Sequence, residues 1–78
     1  MKNKINDDFG FYESLKQYYE SQKARAISTI KLYLQEPVGI GEHSDVQVEL
    51  EKWTNQLATA DESLAVLEKY FEVRKQQT

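Results

Sequence analysis

The chain has no cysteine, one proline, three glycines and one histidine in 78 residues. Without cysteine, disulfides, thiolate zinc sites and thiol nucleophiles are excluded. Sparse glycine and proline leave long segments with nothing to break a helix. No stretch approaches the roughly 18 consecutive apolar residues of a membrane span. The lysines of MKNKINDDFG are not followed by the apolar run of a secretory signal. A soluble, cytoplasmic protein is the expectation, with no membrane contact.

What is present points to a folded, helix-rich chain. Hydrophobic residues make up 40% and charged residues 29%, and there are nine aromatic side chains (five Tyr, three Phe, one Trp), against the composition of a disordered segment. One domain of this size is close to the limit at which a single core offsets chain entropy, so self-association is expected. The net charge of −3 is unevenly shared. Residues 1–41 hold six Lys/Arg against five Asp/Glu and residues 42–78 four against eight, giving +1 and −4. The two halves are suited to lie against each other, and nothing supports general phosphate-backbone binding.

The pattern predicts two helices. Residues 1–7 read as a flexible arm. Asp7 and Asp8 suit a helix start, and apolar residues then recur at Tyr12, Leu15, Tyr19, Ala26, Ile30 and Tyr33, with Gln22 as the polar gap. Helix 1 is predicted over 8–36, with Pro37 ending it. Helix 2, predicted over 45–75, carries Val46, Leu50, Trp53, Leu57, Ala60, Leu64, Leu67 and Phe71 in alternating steps of four and three, a heptad seam. Ser44 with Gln47 reads as a capping box, with Arg74 and Lys75 near the negative end of the helix dipole. The turn 37–44 has Gly39 and Gly41 where positive φ is useful, and Val38 and Ile40 to fold back on the bundle end. If the chain reverses there, residues whose numbers sum to about 83 face each other: Tyr33 with Leu50, Ile30 with Trp53, Ala26 with Leu57, Tyr19 with Leu64, Leu15 with Leu67, Tyr12 with Phe71. The expected fold is all-α, an antiparallel two-helix hairpin with a coiled-coil-like seam.

A hairpin covers only one side of each seam. Phe11 and Tyr18 flank the helix 1 seam on one side, Ile27 and Leu34 on the other, and Phe9 and Tyr70 add rings at the end away from the turn. These six form the candidate interface, read either as closing the open end or as joining two copies into a dimeric four-helix bundle, or as docking another protein. Val48, Ala65, Val66 and Val73 on the back of helix 2 read as scattered apolar residues of no consequence.

Chemistry finds little support. His43 has Glu42 and Asp45 beside it, but all three sit in one turn, whereas metal and catalytic sites need groups converging from separate parts of a fold. The GIG tripeptide lacks the Lys-Ser/Thr ending of a phosphate loop. Ser28, Thr29 and Ser63 have no triad-like company. Lys16, Lys23, Arg25 and Lys31 do not form one stripe, since Arg25 lies about 160° around the helix from Lys23. No catalytic residue, metal or cofactor is expected.

The runs KLYLQEPVGIGEHSD and LATADESLAVLEKYF resemble small uncharacterised proteins of T4-like tailed bacteriophages, including those of marine hosts. The resemblance spans about residues 12–71, and VGIGEHSD is its most specific part. It implies a phage accessory protein inside an infected bacterium, with a phage or host protein as partner, and brings no activity or site residue. The expected function is a non-enzymatic helical interaction module that forms a homodimer. The alternative is a nucleic-acid-linked role, by direct binding through helix 1 or by acidic mimicry of DNA by helix 2.

Overall fold

The computed structural model describes residues 2–36 and 45–75. In chain order the elements are β1 (Asn3–Ile5), α1 (Phe11–Gln35), α2 (Val46–Tyr70) and β2 (Phe71–Val73). The helices pack against each other as a hairpin 55 Å in its longest extent. The turn residues Pro37, Val38, Gly39, Ile40, Gly41, His43 and Ser44 lie outside the described residues.

The arm expected to be flexible is in part a strand. β1 pairs in parallel with β2, with Asn3 opposite Phe71, Lys4 opposite Glu72 and Ile5 opposite Val73. The Arg74 N–H donates to the Ile5 carbonyl at 2.8 Å, extending the ladder by one bond. The fold is all-α in class, a hairpin of two packed helices, with the addition of a short two-stranded sheet that ties its open end.

This tie moves both helix boundaries. α1 begins at Phe11, not at residue 8, because Gly10 adopts a left-handed conformation (φ 74°, ψ 13°) that glycine takes without steric cost. The Asp7 carboxylate reaches across the resulting turn and accepts from the backbone N–H of Tyr12 (2.9 Å) and of Glu13 (3.0 Å), two donors the helix cannot satisfy itself. α2 ends at Tyr70, not at 75, where Phe71 turns extended (φ −132°, ψ 143°) and enters the strand. Its last carbonyls find partners across the hairpin: the Tyr12 hydroxyl donates to Leu67 O (3.2 Å) and the Asn3 amide to Tyr70 O (3.1 Å). Lys69, rather than Arg74 and Lys75, stands in the last turn near the negative dipole end. At the other end Asp45 caps α2, its carboxylate accepting from Val48 N–H at 3.2 Å.

The seam follows the expected register. The rings of Tyr12 and Phe71 meet edge to face with centroids 6.5 Å apart. Lys16 pairs with Glu68 at 3.7 Å and Lys23 with Asp61 at 3.0 Å, both pairs summing to 84. At the polar gap the Gln56 amide donates to the Gln22 side-chain carbonyl, so the break in the seam is filled by a cross-helix hydrogen bond.

Burial along this seam is shallow. Among the described residues only Ala26, Ala60 and Leu64 are buried. Tyr12, Tyr19, Ile30, Tyr33, Leu50, Trp53, Leu57, Leu67 and Phe71 are half-buried, and Leu15, expected in the core, is exposed. Two helices enclose fully only what lies directly between them, and a large side chain there always keeps one flank open. The radius of gyration is 17.1 Å, where a compact chain of this length would have about 11.5 Å. The accessible area is 6458 Å², against about 4,900 Å² for a compact chain of 9.1 kDa.

Candidate interaction site

The open surface includes many large apolar side chains. All six candidate interface residues are exposed, from Tyr70 and Ile27 at 46% to Phe11 at 75% and Phe9 at 84%. They do not form one patch. The seam has two open sides, and the structure divides the residues between them.

On one side, at the strand-tied half of the hairpin, lies a face with one charged residue, Glu62, among its lining. Tyr18 and Tyr19 meet edge to face with centroids 5.1 Å apart. Two adjoining grooves of about 310 and 380 Å³ run along them, the first lined by Tyr18, Gln22, Gln56 and Thr59, the second by Leu15, Tyr19, Ser63, Val66 and Leu67. At about 100° per residue Phe11 and Tyr70 fall on the same side. α2 supplies Thr59, Ser63, Val66 and Tyr70 in steps of four, three and four, a second uncharged track beside the seam. This track mixes hydroxyls with apolar residues, so hydropathy alone does not set it apart from the scattered Val48, Ala65 and Val73. Glu62 is the one charged side chain lining these two grooves. Depletion of charge with aromatic enrichment is the composition of interface centres.

Farther toward the turn the same side becomes cationic. The Arg25 guanidinium and the Lys52 ammonium each lie 5.3 Å from the Trp53 ring, within range of attraction to its electron-rich face. Trp53 thus holds two cations in place while remaining half-buried.

The opposite side has the reverse arrangement. Its strand-tied half carries the Lys16–Glu68 and Lys23–Asp61 pairs, with side chains 26–65% exposed, so each pair contributes no more than about 1 kcal/mol. Its turn-side half is aliphatic: Ile27, Ile30, Leu34 and Leu57 line a groove of about 340 Å³ edged by Lys31. Leu34 is 66% exposed. Phe9 belongs to neither groove; it stacks on Phe11 at 5.9 Å, held out by the Gly10 turn.

Among the described residues no three His, Cys, Asp or Glu side chains are placed to hold a metal ion, and no buried side-chain polar atom lacks a hydrogen-bond partner. No described helix is long and apolar enough to cross a membrane. No family model, curated protein or solved structure matches the chain.

Proposed function

We propose that this chain is a non-enzymatic protein–protein interaction module that self-associates into a dimeric four-helix bundle and uses a second apolar face to dock another protein. One observation carries the reading: among the described residues Leu64 is the only large apolar side chain that is buried, while Phe9, Phe11, Tyr18, Leu34 and others stand more than half exposed. Contiguous apolar surface left open by a monomer is the mark of an interface. Two uncovered faces on opposite sides of one seam supply two contacts.

The aromatic face fits a protein partner. Tyr18, Tyr70 and Phe11 offer broad rings with few rotatable bonds, the kind of anchor that dominates binding energy. Arg25 and Lys52 at its turn-side end favour a partner segment that is apolar with carboxylates at one end. Direct nucleic-acid binding by α1 is less well supported, because Lys16 and Lys23 are committed to Glu68 and Asp61. The resemblance of VGIGEHSD and the flanking helices to small phage proteins supports a role in the cytoplasm of an infected bacterium, on a phage or host protein.

The test is affinity capture from infected cells with the wild-type chain and with Tyr18→Asp side by side. A protein retained by the wild type and lost with Tyr18→Asp supports docking on the aromatic face. Equal retention by both, or none by either, contradicts it.

A further inference from the structure

We infer that the copies join through the ion-paired side of the hairpin, running in the same direction about a two-fold axis parallel to their length, so that α1 of each lies over α2 of the other. This deepens the self-association reading and rests on it. Charge separates the possible orientations. On this side α1 presents Lys16, Lys23 and Lys31 beside Glu20, while α2 presents Asp61 and Glu68.

Two copies stacked face to face on this side have two ways to be symmetric. With the axis across the hairpin, α1 covers α1 with heights reversed, so the charged half of each copy lies against the aliphatic half of the other. With the axis along the hairpin, α1 covers α2 at the same height. Lys16 and Lys23 of one copy then stand over Glu68 and Asp61 of the other, levels already matched within each hairpin by the 3.7 and 3.0 Å pairs. Farther along, Ile27 and Leu34 of one copy cover Leu57 of the other, closing the aliphatic groove on itself. Every zone of the face meets a zone it complements, as an isologous contact requires.

Size agrees. Helices of 25 residues are about 37 Å long, and the hairpin is 25 Å wide. Such a face offers about 900 Å² per copy, where a standard stable interface uses about 800 Å². The aromatic face stays open on the outside of the pair, which leaves it free for the partner.

Because the chain has no cysteine, single cysteines can be placed without background for nitroxide labels. Val48→Cys and Lys69→Cys lie on exposed positions near opposite ends of α2, off the stripe of Asp61 and Glu68, about 32 Å apart along the helix at 1.5 Å per residue. With copies side by side in the same direction and neighbouring axes about 10 Å apart, the label-to-label distance across the dimer is under about 30 Å at both sites. Copies running in opposite directions place at least one site beyond about 35 Å. In parallel, Leu34→Asp raises the dimer dissociation constant at least about tenfold, and Tyr18→Asp leaves it unchanged, with helical content of each checked by circular dichroism. A dimer with one long distance, or one weakened by Tyr18→Asp and not by Leu34→Asp, overturns this geometry and leaves self-association standing. A wild-type monomer at high micromolar concentration overturns both.

Discussion

Ala26 and Ala60 are the two most enclosed residues, at 0% and 1% exposure, and they locate the closest approach of α1 to α2. Replacing Ala26 by Leu adds three carbons where no open flank exists to receive them. The helices must separate or tilt, exposing Leu57 and Leu64 and stretching the Gln56–Gln22 bond one turn away. Overpacking of a well-filled site costs about 1–3 kcal/mol. In a domain of this size each kcal/mol moves the melting temperature by about 4–8 °C, so a fall of about 5–20 °C is expected. The assay is thermal unfolding followed at 222 nm, at one protein concentration for all variants, since association makes the midpoint concentration-dependent. Ala58→Leu, on the exposed back of α2, is the control and should shift the midpoint by about 2 °C or less. If Ala26→Leu melts within 2 °C of wild type, the two alanines do not mark the helix contact and the described seam is wrong.

Asp7→Ala removes the acceptor for two helix N–H groups and should cost about 1–2 kcal/mol in urea unfolding; no change would show that water caps α1 equally well. A double-mutant cycle on Lys23 and Asp61, run at a concentration low enough to keep the chain monomeric, should return a coupling below about 1 kcal/mol that falls with added salt, because both side chains are largely solvated in the single hairpin. A larger coupling in the monomer would contradict an exposed pair. Deleting residues 1–5 removes β1 together with the acceptor of the Arg74 N–H. Amide exchange at Arg74 should then accelerate while the centres of both helices keep their protection, and unchanged exchange there would contradict the strand pairing.

The hairpin was legible because its seam repeats at a helical period on both sides of a proline and two glycines, and because the register sum of 83 is a property of the numbers alone. The strands were not. Three residues are too few to show alternation, and β1 and β2 hold together through backbone groups that Asn, Lys, Glu and Val all possess equally. The true start of α1 was hidden for a related reason: Asp7 reads as a helix cap, and only the left-handed turn at Gly10 reveals that it caps a helix beginning four residues later. The depth of the core was also misread. A heptad of large residues suggests enclosure, but enclosure depends on how many helices surround the seam, and with two helices it fell to the small residues Ala26 and Ala60 and, among the large ones, to Leu64.

The flanks of α1 could be read from residue spacing as two sides, Phe11 and Tyr18 against Ile27 and Leu34. What α2 adds to each could not, because its uncharged track of Thr59, Ser63, Val66 and Tyr70 mixes hydroxyls with apolar residues and has no strong hydrophobic period. Nor does the sequence show that Arg25, 28 residues away from Trp53, lies over its ring. Both follow from the register once the hairpin is closed.

Self-association is the premise on which the proposed role depends, and sedimentation equilibrium of the full chain over a range of concentrations tests it most directly. A mass approaching twice the 9.1 kDa of the chain is expected as concentration rises into the high micromolar range. A mass that stays at that of one chain throughout would contradict it.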